Sequence, residues 1–198
     1  MRKNNCMSVF ASLALSLVLL CGLFTLAAGA VGGVLAGDGS AETPYEIADA
    51  ADLAAFRDLV NATPSSTANA VLVADIDLEN QNWKRIFPDS GYITEAYAGT
   101  FDGAFHTIKG LNVNNVSAAN QGLFGGIGLA TVDGKTVTAT VKNLNVEGSV
   151  TASNNNVGGI VGQVNAGSVI NCSFTGSVSS SKAKANIGGI VGYVNGDK

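Results

Sequence analysis

The residues whose types and spacing could do chemistry sit in the middle of the chain. In residues 74–79, ADIDLE, aspartates alternate with aliphatics, so on a strand Asp75 and Asp77 point to one side and Ile76 and Leu78 to the other. Carboxylates on one face, with Glu79 beyond them, can chelate a hard cation such as Ca²⁺ or serve as an acid/base pair on a glycosidic bond. Asp102 follows in an Asp-Gly turn, Lys84 and Arg85 are the nearest cations in sequence, and His106 is the sole histidine. A polysaccharide-cleaving site would gather Asp75, Asp77, Asp102 and Arg85 within hydrogen-bond reach in one groove. The simpler reading leaves the acids as solvated positions of an alternating strand and His106 as a turn residue.

The aromatic side chains of residues 80–98, among them Trp83, Phe87, Tyr92 and Tyr97, offer a second kind of chemistry. Insertions in repeat proteins often carry binding, which makes Trp83, Tyr92 and Tyr97, with Asp75, Asp77 and Asp102, the candidate binding residues. The same Trp and Phe could instead cover a core. Residues 157–164, VGGIVGQV, are glycine-rich but lack the Lys-Ser/Thr and the helix of a phosphate loop. Cys172 aligns with Leu111 and Leu144 and reads as a small buried hydrophobe. No catalytic set, cofactor or metal is expected.

The elements that must position these groups declare themselves by repetition. Residues 157–164 recur as 187–194, IGGIVGYV, with a weaker first copy in Gly122-Leu123-Phe124-Gly125. Residues 141–150, VKNLNVEGSV, recur as 169–178, VINCSFTGSV, and more faintly upstream as 108–116, IKGLNVNNV. That alignment puts Ile108, Leu111 and Val113 with Val141, Leu144 and Val146, and with Val169, Cys172 and Phe174. Repeats of this length mean a solenoid whose units bury their apolar faces on one another. With two strand types alternating, the unit is a β-coil: strands bond to the coils above and below, and aliphatics stack inward. Asn and Gly between the aliphatic pairs supply corners in left-handed backbone. A β-sandwich would not require the same side chain to recur at the same place.

One helix is expected, over residues 50–60. Asp49 caps it, Asp52 sits in its first turn, and Leu53, Phe56 and Val60 share a face. It can cover the first rung of the solenoid or pack on a lateral face. Residues 61–69 read as a loop and 71–78 as a strand.

At the start, Arg2 and Lys3 precede an uncharged apolar run over residues 9–30 that ends in Ala28-Gly29-Ala30. This is a secretory signal, residues 1–30, with a second possible cut after Ala36; an uncleaved anchor is the competing reading. Leu20 before Cys21 argues against lipidation. Removing Arg2 and Lys3 from the 11 basic residues leaves 9 against 15 acidic ones. The cations are scattered singly, so nucleic acid is not an expected partner. Cys6 and Cys21 leave with the signal, and one remaining thiol makes no internal disulfide.

These stretches together resemble the GLUG-motif bacterial surface proteins: GDGSAETPYEI at 37–47, the helix DLAAFRDLVN, ADIDL with a following Trp83, TFDGAFHTIKGLNV at 100–113, and the two Gly-rich repeats. Such proteins commonly carry Asn-Gly where this chain has Ala104-Phe105. The resemblance implies an all-β, right-handed parallel β-helix with the N-terminal amphipathic helix as its cap. It implies display outside the cell, usually as a module of a larger adhesin-like or protease-associated chain, and it brings no catalytic residues. Residues 37–116 would then form the cap helix and first coils, with the aromatic insertion at 80–98, and 117–198 the GLUG-type repeats, ending partway through a copy. The expected function is a non-enzymatic secreted or surface module, adhesin-like or a spacer; the alternative is a carbohydrate-active β-helix enzyme. Its partners would be a host or cell-wall glycan, a surface protein, or further repeats of the same chain, with membrane contact only through the uncleaved signal.

Overall fold

A computed structural model describes residues 34–195. The signal segment 1–30 with its cleavage after Ala30 lies outside the described residues, as do Cys6 and Cys21. Ala36, the second possible cleavage point, bridges Glu46 through its carbonyl.

The described chain is mostly β, with one α-helix, and successive passes lay strands in parallel onto the same few sheets. The first sheet runs Tyr45–Ile47, Ala70–Leu72, Thr100–Asp102, Thr140–Lys142, Ser168–Ile170, each strand parallel to the next. The second holds Ile76–Asp77, Thr107–Val116, Asn145–Ala152 and Ser173–Ser180, again all parallel. The third holds Phe124–Ile127, Val161–Val164 and Val191–Val194, with the short pair Val157–Gly158 and Ile187–Gly188 beside it. Strand order follows chain order in each. The inward side chains form one buried cluster that includes Ile76, Ile108 and Val146 in one column and Phe101 and Val141 in another.

The helix spans Ala50–Ala62, two residues beyond the expected end. Asp49 Oδ1 accepts from the Asp52 amide, as an N-cap should. Leu53, Phe56 and Val60 are fully buried, and the Phe56 ring meets Tyr45, Tyr97 and Phe101 edge-on or tilted at 5.8–6.5 Å.

Residues 80–98 are not a projecting insertion. Ile86 bridges Phe124 and Tyr97 bridges Ile127, so this segment runs along the edge of the third sheet. Trp83, Phe87 and Tyr97 of this segment are buried, whereas Tyr92 is exposed.

The upstream repeat copy has a different register from the one its aliphatic pattern suggests. Ile108 pairs with Val146, not Val141, and Leu111 and Val113 pair with Gly148 and Val150. An extra residue between Ile108 and Leu111, where Gly110 takes φ +72°, bulges the strand and shifts every later pairing along it. Cys172 therefore matches Leu144, between the pairs Ile170–Lys142 and Ser173–Asn145, but not Leu111. A hairpin that the repeat pattern does not announce also forms, Leu129–Val132 against Lys135–Thr138, turned by Asp133 and Gly134 at φ +49° and +74°. An Asp-Gly pair between alternating residues is the signal for that turn.

Asn and Gly divide the corner work between them. Asn120, Asn143, Asn156 and Asn171 hold left-handed backbone, whereas the glycines of the GGIVG segments do not. Those glycines are small because the passes touch: a Cβ on Gly159 would strike the Gly189 carbonyl and the Phe174 ring, and one on Gly162 the backbone of Gln121. The asparagines also join side chain to side chain from pass to pass, Asn186 to Asn156 to Asn120 at 2.8 and 2.9 Å, and Asn195 to Asn165 at 3.0 Å.

Candidate functional site

Asp75 and Asp77 face outward and Ile76 and Leu78 inward, as the alternation requires. Each acid is met by a cation or imidazole from the strand beside it. Asp77 lies in register with Lys109, and their charged groups are 3.2 Å apart. Asp75 Oδ1 accepts from the Thr107 amide at 2.9 Å and faces His106 Nδ1 at 3.1 Å. Asp102 lies in register with Lys142, pairs with it at 3.1 Å, and accepts from the Ala104 amide and Asn143 Nδ2.

The hydrogen bonds hold these carboxyls below their ordinary range. For Asp75 the Thr107 amide contributes most, then His106; for Asp77 the Glu79 amide, then Lys109. At Asp102 partial burial pushes upward, and the bonds from Ala104, Asn143 and Lys142 outweigh it. Opposite charges facing each other across paired strands stabilise a register. Asp102 also heads an amide ladder, Asn171 to Asn143 to Asp102, at 3.2 and 3.0 Å.

The four groups a cleavage site would need are not gathered. Asp77, Asp102 and Arg85 line three different hollows. Among the described residues no group of three His, Cys, Asp or Glu side chains is placed to hold a metal ion.

Of the three aromatic candidates, Trp83 and Tyr97 turn inward. Trp83 is 5% exposed, its indole N–H donating to the Leu123 carbonyl at 3.2 Å with the Arg57 guanidinium over its ring. Tyr97 has no exposed surface, donates from Oη to the Ala68 carbonyl, and stacks on Phe124. Tyr97 is closed to a ligand, while Trp83 shows only a little surface to the hollows it borders. Tyr92 alone is exposed, at 67%.

The hollow beside Trp83 has a volume of about 270 Å³ and is walled by Asn82, Lys84, Arg85, Phe87, Asp89 and Gln121. Its wall is held from the helix: Asn61 Nδ2 donates to the Arg85 carbonyl, while Asn61 Oδ1 and its carbonyl accept from the Phe87 and Asp89 amides. Gln121 Nε2 donates to the Ala118 and Ala119 carbonyls. Asn61 falls at the start of the expected loop 61–69, yet it is signalled after all, since it continues the apolar stripe of Leu53, Phe56 and Val60. Nothing in the sequence distinguishes Gln121. Cys172, half-buried, donates to the Ile170 carbonyl at 3.3 Å, and burial pushes its thiol upward.

Residues 153–179 match the family model of the GLUG motif. The chain is 34% identical over 151 residues to halomucin of Haloquadratum walsbyi; the match takes in 73% of this chain and spans 2% of that protein. It is also similar to a Bacteroides ovatus crystal structure described as a candidate immunoglobulin A1 protease, with 21% identity and a TM-score of 0.48, over 80% of this chain and 64% of that one. The matched residues 153–179 run from the third sheet through the first to the second, across the glycine contacts and amide ladders described above, and that stretch of the chain carries a GLUG motif.

Proposed function

We propose that the chain is a non-enzymatic, surface-displayed module built as a right-handed parallel β-helix, with its helix closing the N-terminal end and its lateral faces presented for adhesion. Strands in parallel on one sheet joined by crossovers favour the right hand. The observation that carries the functional reading is the employment of the acids. Asp75, Asp77 and Asp102 are each committed to a neighbouring strand, as rungs of the fold, and Arg85 stands apart from them. Rigid repeats that hold a surface away from an anchor need such rungs and no reacting groups. The GLUG motif and the halomucin match support an extracellular setting for the chain.

Two measurements test this. Protease treatment of intact cells should release peptides from residues 34–195, and their retention in intact cells would contradict display. Incubation of the purified chain with acidic and neutral polysaccharides should yield no new reducing ends or unsaturated products. Cleavage that disappears in Asp77→Asn or Asp102→Asn would establish the enzyme reading instead.

A further inference from the structure

We propose that the pocket around Arg85 is a binding site for the carboxylate of an acidic saccharide, of the uronic acid class. The inference rests on the adhesive side of the reading above.

Arg85 is half-buried, and its Nε is enclosed without a hydrogen-bond partner. Asp89, the carboxylate it senses, is taken by Lys84 at 2.7 Å. A cation withdrawn from water whose neighbouring carboxylate is already paired with another cation is incompletely compensated, and an anion bound at its terminal nitrogens offsets that cost. The arrangement is built rather than incidental. A Cβ on Gly125 would collide with Arg85 Cδ and Nε, so the glycine keeps open the slot in which the guanidinium lies over the Phe87 ring at 5.0 Å. The backbone around it is held on both sides, by Asn61 from the helix and by the Ile86 amide bonding to Leu123. A planar fork fixed in advance loses little freedom on binding and matches a carboxylate through two parallel hydrogen bonds.

The rest of the pocket selects the carrier of that carboxylate. Lys84 adds a second cation, while Asn82, Asp89 and Gln121 set amide and carboxylate groups around the hollow. A sugar ring carries hydroxyls that both donate and accept, which suits such a mixture. A cavity of about 270 Å³ suits a ring or two rather than a folded partner. The chain has a net charge of −4, so the attraction is local and salt-sensitive.

Calorimetric titration of the full exported chain with oligogalacturonate, a neutral galacto-oligosaccharide and a short polyglutamate peptide tests the site. The expected result is saturable binding of oligogalacturonate that weakens with salt, with no binding of the neutral sugar. Arg85→Gln should weaken it by about tenfold or more, Arg85→Lys should fail to restore it fully because the fork is lost, and Asp89→Asn should tighten it. Lys109→Gln, outside the pocket, controls for general charge. Absence of oligogalacturonate binding at millimolar concentration, undiminished binding by a folded Arg85→Gln chain, or equal affinity for polyglutamate overturns the proposal. Release of the chain by protease treatment of cells scores display separately, so the two ideas fail independently.

Discussion

The two ends of the described stack solve the same packing problem by different means. Near the helix, Phe56, Tyr97, Phe101 and Phe124 interlock with rings 5.3–6.0 Å apart, and all are fully buried. Toward residue 195, the inward residues are smaller or less covered: Val169, Cys172, Phe174 and Val178 are half-buried, and Ile187 and Val194 are 47% and 60% exposed. There the order comes from repetition instead. Ser149 meets Ser177, Ser179 meets Thr151, and Asn186 meets Asn156, each side chain finding its counterpart on the neighbouring pass. One end is specified by unique large side chains, the other by a register written into the repeat.

The largest expected difference between the ends comes from burial. Phe101→Ala should cost about 3–5 kcal/mol, because the ring is fully enclosed by other rings and its cavity cannot collapse. Phe174→Ala, at a half-buried position, should cost about 1–2 kcal/mol. Urea denaturation measures both, and equal losses would break the contrast. Amide exchange of the unaltered chain should show slower exchange around Phe101 than around Val194; the reverse order would mean that the ladders, not the aromatic cluster, dominate stability.

A smaller effect probes how the repeat end is held. Gly159→Ala places a methyl against the Gly189 carbonyl and the Phe174 ring, and should destabilise by about 1–3 kcal/mol through overpacking. Gly189→Ala, with nothing near its Cβ position, should cost far less. The pair occupies equivalent places in the two repeat copies. If both substitutions cost the same, these glycines are needed for backbone freedom rather than for close approach.

The contrast also explains which parts of the molecule are legible in the chain alone. The repeat end is legible, because Val161 pairs with Phe124 and Val191, and Val146 with Phe174, where the recurring glycines and aliphatics place them. The helix is legible from Asp49 and its apolar stripe. The aliphatic spacing of Ile108, Leu111 and Val113 repeats that of Val141, Leu144 and Val146, yet Ile108 already pairs with Val146 ahead of the bulge, so the pattern points to the wrong register. The aromatic segment misleads for a related reason: Trp83 and Tyr97 in a polar, turn-rich stretch look like a loop until the bridges to the third sheet are known. For the site, Arg85 is visible in the sequence only as a cation near acids. Its isolation from them, and the hold of Asn61 on its backbone, depend on contacts distant in sequence.

The smallest expected effect concerns the turn where the two ends differ in residue choice. At the repeat end the left-handed corner belongs to Asn143 and Asn171, residues that tolerate it. One pass earlier Ala104 and Phe105 take φ +46° and +67°, where a Cβ is unfavourable. The neighbouring pass imposes this conformation: the Phe105 amide donates to the Asn143 carbonyl at 2.7 Å, and its carbonyl accepts from Asn145 Nδ2 at 3.2 Å. The Phe105 ring is 70% exposed and contributes little burial. Phe105→Gly relieves about 1–2 kcal/mol of backbone strain and returns about 0.4–1 kcal/mol through the freer unfolded chain. The net gain should be about 0.5–1 kcal/mol, seen as a melting temperature raised by about 1–4 °C in a domain of this size. Asn143→Gly, at a corner already suited to its residue and carrying the ladder to Asp102, should lose stability instead. A loss in Phe105→Gly matching that in Asn143→Gly would mean that the exposed ring makes a contribution the fold does not show, and would turn attention to Phe105 as a contact for a partner.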